Sequence, residues 1–336
     1  MTFQTPWIRR LALLALAFAG SAQADTPASG FIPAEGRTDI AFDSAHQVLY
    51  ISGGPQLRRF DFNTKTFLSP LALGGATMGM DISADGKRLA VANASRGAEE
   101  NFVDIVTLRT GKTKRVSFPL AFYEGGTHAV AYDADGKLLV TSRFEGSGWT
   151  PLRRYDPLTG LSDQLAELAA PAMVNPSPNH RYVAVAEGNI SSGPYGRYMT
   201  GDTAYRSLHT TNWFLFEIAI ASNGSQSAVP TYGGTFINDA KKTFPNVGIY
   251  AGQAPIGAAY APSGEVVYFP FADSNFVAEY DRKTMTERRR FTVPGQFDWT
   301  GNGAFVEGRT KVSSDGRYLF VTLDNGIFYQ ELAAAN

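Results

Sequence analysis

One pattern of apolar and polar positions recurs along the chain. An apolar run meets a tight polar turn and is followed at once by a second apolar run. The clearest copies are Ile82-Ser83-Ala84-Asp85-Gly86-Lys87-Arg88-Leu89-Ala90-Val91 and Val312-Ser313-Ser314-Asp315-Gly316-Arg317-Tyr318-Leu319-Phe320-Val321. A third runs from Ala131 through Asp135-Gly136 to Val140. Runs of four to six apolar residues bounded by Asp-Gly predict short strands in hairpins, and no long stretch has helical spacing. The turns fall at His46, Gly86, Gly136, His180, Gly224, Gly264 and Gly316, 40 to 52 residues apart.

A second phrase follows each turn, as in Phe60-Asp61-Phe62-Asn63-Thr64-Lys65, Leu108-Arg109-Thr110-Gly111-Lys112, Tyr155-Asp156-Pro157-Leu158-Thr159-Gly160 and Tyr280-Asp281-Arg282-Lys283-Thr284. Each is a strand running into a polar turn. Every repeat therefore holds two hairpins, or four short strands. Four strands in about 40–45 residues make the blade of a β-propeller. The expectation is an all-β propeller of seven blades. The alternative has six, with Trp213 to Ile220 as a third strand of the fourth blade and 187–212 as one long loop. Segment 25–38 is expected to add a strand to the last blade and so remove an open edge. Phe42, Tyr50, Val91, Val130, Val183, Tyr268 and Phe320 are expected in the core.

These phrases resemble those of the YVTN-type, lactonase-like seven-bladed propellers of bacteria. The likeness rests on Ser83 to Asn93 and on the Tyr-Asp turns. It covers most of 38–336 and is strong in three or four blades. The resemblance implies a fold far more firmly than a function.

The N-terminus changes the picture of location. Arg9 and Arg10 precede an apolar stretch from Leu11 to Ala19, and Ala22-Gln23-Ala24 is a small-x-small site before Asp25. Residues 1–24 read as a secretory signal peptide, too short to span a bilayer. Residues 25–336 would then be a single propeller domain, periplasmic or secreted, with no later membrane span. There are no cysteines, so the fold has no disulfides and no thiolate metal site. A net charge of −1 gives no footprint for nucleic acid.

Strand order predicts geometry. The Asp-Gly and Tyr-Asp turns should gather on one face, expected to be structural. Loops between second and third strands, with the links between blades, should gather on the other, where many loops on a rigid frame favour binding. That face would present Arg96, Glu124, Trp149, Glu187, Asn189, Asp273, Asn275, Trp299, Asp324 and Asn325. His128, after Gly125-Gly126, enters an innermost strand. Imidazole there suits a general base, a metal ligand or a hydrogen-bonded strand start. The irregular tract with Tyr195, Arg197, Tyr198, Tyr205 and Arg206 suits a lid, a partner contact or a degenerate blade edge.

Motifs for a zinc site, a serine nucleophile or a phosphate loop are absent. A calcium or magnesium site would need Glu145, Glu187, Asp273 and Asp324 to converge; otherwise no cofactor is expected. The first functional expectation is a non-catalytic propeller that binds a small molecule, a glycan or a protein partner on its loop-rich face. The alternative, implied by the resemblance, is a lactonase- or lyase-like enzyme. In it His128 is the base, Arg143 stabilises an oxyanion and Glu145 orients one of them. A third expectation is a supporting subunit of a redox complex, as in the amine-dehydrogenase heavy chains of the same fold.

Overall fold

In the computed structural model the described residues are 28–146, 148–188, 192–211, 215, 217–231, 234–239, 242–244, 254–298, 305 and 307–332. The leader lies outside them, as do Asn189 and Trp299. Among the described residues no helix is long and apolar enough to cross a membrane.

Among the described residues the strands group into seven four-stranded antiparallel sheets, each built from strands consecutive in sequence apart from one. They occupy 40–72, 77–119, 124–169, 172–210, 219–244 and 259–297. The exception joins Thr310–Val312, Tyr318–Leu323 and Gly326–Glu331 to the N-terminal strand Ser29–Pro33. Ser29 pairs with Gln330 and Pro33 with Gly326, so the two ends of the chain close one blade. This is the strand order of a β-propeller with four-stranded blades. Ala219–Ile220 pairs with Gln226–Thr231 in a sheet of its own, and the tract before it completes the preceding blade. Pro194–Met199 is that blade's third strand and Arg206–Thr210 its fourth. Tyr195 and Tyr198 are buried there, so the tract is a blade edge rather than a lid.

The turns explain the hairpins locally. Gly86 and Gly316 have φ of 67° and 73°, the left-handed region where a side chain is strained. Asp85 secures its turn by accepting from the Ser83 hydroxyl at 2.6 Å and from the Lys87 amide at 3.1 Å. The first turn departs from the expected alignment. There the left-handed residue is Gln47, not His46. The Asp43 side chain binds the His46 ring at 2.7 Å and accepts from the Ala45 and His46 amides, which moves the bend one residue along. In the third-to-fourth-strand turns Asp61, Asp156 and Asp281 accept from amides two residues on.

Blades stack face to face, so both faces of the inner strands are covered. Ile40–Asp43 and Glu124–Tyr132 are buried throughout. The seven expected core residues from Phe42 to Phe320 are all buried. Where the chain ends meet, Ile32 packs with Ile40, Leu49, Phe320 and Ile327.

Truncating Ile32 tests that closure. Ile32→Ala should cost about 2–5 kcal/mol, the usual range for a large-to-small change in a packed core. Urea unfolding should show a lower midpoint with an unchanged slope. A midpoint equal to wild type would mean the N-terminal strand does not hold the blade shut.

Candidate functional site

Each innermost strand is the edge of its sheet. Alternate backbone N–H and C=O groups therefore point toward the axis without a strand partner. Polar side chains from neighbouring inner strands satisfy them. Asp39 accepts from the Met80 amide at 2.9 Å, and Asp81 from the Tyr132 amide at 2.7 Å. Asn175 donates to the Ile218 carbonyl at 2.8 Å, and Thr141, from the second strand of its blade, donates to that of Ala172 at 2.8 Å.

These bridges meet in a buried charge network across the axis. Arg309 donates from Nε to Asp39 Oδ1 at 2.8 Å and from Nη2 to Asn175 Oδ1 at 2.8 Å, and it also binds Glu217. Asn175 Oδ1 accepts from Lys311 Nζ too, at 3.1 Å. Burial alone would raise the Asp39 carboxyl, but Arg309 and Lys311 outweigh it and hold it below the usual range. Burial would lower Arg309; Asp39 and Glu217 raise it instead. Burial does lower Lys311, helped by Arg309 and opposed by Asp39, Glu217 and Asp81. It raises Asp81, against His180 and Lys311.

Toward the link face the axis is filled by Phe305. Its ring lies 5.0 Å from that of His128, and the Arg309 guanidinium sits 5.3 Å from its centre. Gly79 makes room, since a Cβ there would come within 2.6 Å of the ring. Toward the Asp-Gly turns the axis opens instead into a cavity of about 220 Å³. Asp81, Asn175, His180 and Lys311 line it, among Ala41, Ile218, Ala259 and other apolar residues. The turn face was expected to be structural, yet the axial cavity opens there. Gly79 admits the Phe305 plug on the link side.

The sequence-derived residues fall in three settings. Glu124 is turned inward, where both its oxygens are taken. Arg153 donates to Oε2 at 2.6 Å and also binds Oε1, while the Ala121 amide donates to Oε2 at 2.8 Å. Glu187 is buried and accepts from the Ala169 amide at 2.7 Å; burial pushes its carboxyl up. His128 is only 4% exposed, and among the described residues neither ring nitrogen has a hydrogen-bond partner. Burial, with Arg143 and Arg309 nearby, lowers its pKa to about 3.

Arg143 and Glu145 are exposed. Glu145 is held by Arg96, at 2.7 Å from Nε, so it orients neither His128 nor Arg143. Asp273, Asn275, Asp324 and Asn325 are exposed on other blades. Among the described residues no three acidic or histidine side chains are grouped to hold a metal ion, so the four carboxylates that a calcium site would need do not converge.

What gathers on the loop-rich face is aromatic. Phe122, Tyr123 and Trp149 are 81%, 56% and 63% exposed. Phe122 and Tyr123 lie 4.1 Å apart, and Tyr123 and Phe144 5.9 Å. The Glu145 amide donates to the Tyr123 carbonyl at 2.8 Å, which fixes this group beside the Arg96–Glu145 pair.

Sequence reading missed Asp39, Glu217, Arg309 and Lys311. Aligning the turn openers Asp43, Ser83, Ser177, Ala221 and Ser313 would have found them. Asp81, Asn175 and Lys311 stand two residues before an opener, and Asp39, Glu217 and Arg309 four before. Charge at such positions of an inner strand has to be paired.

In sequence, neither a family model nor a curated protein matches the chain. In structure, it is similar to hydrazine synthase of Kuenenia stuttgartiensis. The TM-score is 0.65 and the identity 15%, over 89% of this chain and 96% of that one. It is also similar to the β-propeller domain of Cps50 (Swd1) from Myceliophteria thermophila. There the TM-score is 0.66 and the identity 11%, over 91% of this chain and 100% of that one. At these identities the likeness shows the fold alone.

Arg309→Met leaves Asp39 and Glu217 buried without their cation and should cost about 3–5 kcal/mol. A melting temperature within a degree or two of wild type, about what a negligible change produces, would show the network to be dispensable. His128 gives a pH signature. Its folded pKa of about 3 lies below the unfolded value of about 6.5. The unfolded chain thus binds the proton first, and stability falls as pH drops from about 6.5 toward 3, by at most about 1.4 kcal/mol per unit. His128→Met, the residue carried by the preceding blade at Met78, should flatten that slope in urea midpoints between pH 7 and 4.5. An unaltered slope would refute the assignment.

Proposed function

We propose that this chain is an exported, non-catalytic binding propeller whose partner docks on the loop-rich face beside the third blade. The observation that carries this reading is the exposed aromatic pair Phe122 and Tyr123, tied through the Glu145 amide to the Arg96–Glu145 pair, with exposed Trp149 at the end of the same loop. Large exposed apolar side chains grouped together mark interaction surfaces. Tyrosine, tryptophan and arginine are the residues that dominate protein–protein binding energy. A protein partner is therefore the ligand class favoured among those the sequence leaves open. The repeat phrases support kinship with the YVTN-type propellers. The basic and apolar leader, with Ala22-Gln23-Ala24 before Asp25, supports export to the periplasm or beyond.

The chemistry asked of a lactonase-like site finds less support. A general base must reach the proton it takes, directly or through one water. His128 lies buried against Phe305, and Glu145 is engaged by Arg96 on the surface.

A photo-crosslinking amino acid placed at 122 or 149 should trap one discrete adduct in cells, and one at Lys87 on the opposite face should not. Trp149→Ala combined with Phe122→Ala should abolish the adduct made from 123. Its stability should stay within about 0.5 kcal/mol, because the side chains are exposed. Equal labelling from both faces, or none from the loop face, would end the proposal. Export is checked separately by the intact mass of the exported protein, which should begin at Asp25. A mass that retains residues 1–24 would refute processing.

A further inference from the structure

The axial cavity on the turn face lies outside the function proposed above and does not depend on it. Its polar lining has unspent hydrogen-bonding capacity of two kinds. Lys311 Nζ carries three donors, of which one is used on Asn175. Asp81 uses Oδ2 on the Tyr132 amide, and Oδ1 remains an acceptor. His180 Nδ1 lies 3.0 Å from the Tyr132 carbonyl, so it carries the proton there and Nε2 is left to accept. Nearby hydroxyls are already spent. Ser83 donates to Asp85 and accepts from the Arg88 amide, and Ser177 does the same with Asn179 and the Tyr182 amide. An occupant must therefore bring an acceptor to Lys311 and a donor to Asp81.

Charge narrows the class. Asp39 and Glu217 are matched by Arg309, and Asp81 and Lys311 line the cavity with one charge of each sign. A ligand carrying a single charge would leave one of those two unmatched, where a buried charge is costly. A dipolar molecule with one charge of each sign would not. Size narrows it further. A cavity of about 220 Å³ is below the roughly 300–1,000 Å³ of pockets for drug-sized ligands, so the occupant is small.

We propose that the axial cavity on the Asp-Gly turn face binds a small zwitterionic amino acid, its carboxylate received by Lys311 and its ammonium by Asp81. The surrounding alanine and isoleucine side chains leave room for a short apolar side chain and no counter-charge for a long charged one.

Isothermal titration calorimetry on the wild-type chain decides it without relying on any variant. The twenty free amino acids are the probes, each up to about 10 mM, weaker than the millimolar end of specific binding. At least one small apolar amino acid should bind with one-to-one stoichiometry. Its N-acetyl and carboxamide forms should each bind at least about tenfold more weakly, the loss of one charge-assisted contact. Lys311→Met and Asp81→Asn should lose binding while circular dichroism stays native, and Lys114→Met, an exposed lysine on an outer strand, should not. No heat from any of the twenty would overturn the proposal. So would an amino acid whose affinity survives both caps, or one that binds a folded Lys311→Met variant as tightly as wild type.

Discussion

The constraint on which this fold depends is the satisfaction of backbone at the axis. A blade has two edges. The outer one faces water, which completes its hydrogen bonds. The inner one faces its counterparts in a space where water is scarce. An unpaired buried amide or carbonyl costs about 1–3 kcal/mol, and every inner strand presents several. Asp39, Asp81 and Asn175 remove that cost in pairs, each reaching from its own strand to the backbone of the next. Placing carboxylates there creates a second demand, for buried cations, and Arg309 and Lys311 meet it. The charge network thus follows from the edges.

The same network divides the molecule functionally. With Arg309 braced against Phe305, the link side of the axis is closed and the loops around it act as a surface. On the turn side Asn175 and Lys311 form the inner end of a chamber. A sequence reading that places every function on the loop-rich face follows the usual logic of loops on a rigid frame. Here the side chain that blocks the axis comes from one of those same loops. The loop-rich side is left with exposed rings at its rim, and the recess with titratable groups faces the short turns.

How much of this is legible in the sequence follows from the range of each interaction. Strands and hairpins come from contacts within ten residues, and Asp85-Gly86 or Asp281 with Thr284 announce them without any knowledge of the rest. The closing strand Ser29–Pro33 is legible because a propeller needs closure. Arg309 is different. Its partners lie 92, 134 and 270 residues away, at Glu217, Asn175 and Asp39, and no local pattern ties them together. Arg143, His128 and Glu145 look like a site because they are close in sequence. His128 lies on the innermost strand Glu124–Tyr132, Arg143 on the second strand Leu138–Phe144 and Glu145 in the loop beyond it, so they reach different environments, one in the core and two on the surface. Asn189 and Trp299 fall outside the described residues.

Buried ion pairs add little stability against an apolar core of the same shape, so their presence at the centre calls for another reason. Height along the axis is one. Apolar inner strands packed face to face could slide past one another by a pleat with little penalty. Asp39 stands four residues before its turn opener and binds an amide three before the next; Asp81 stands two before and binds an amide one before. Both bridges impose the same offset of one residue between adjacent blades. A slip of one residue would present the wrong side of the strand and leave a carboxylate facing a side chain. A polar bridge therefore fixes register where packing alone is permissive. The fixed register in turn brings Lys311 and Asp81 to the same depth in the chamber.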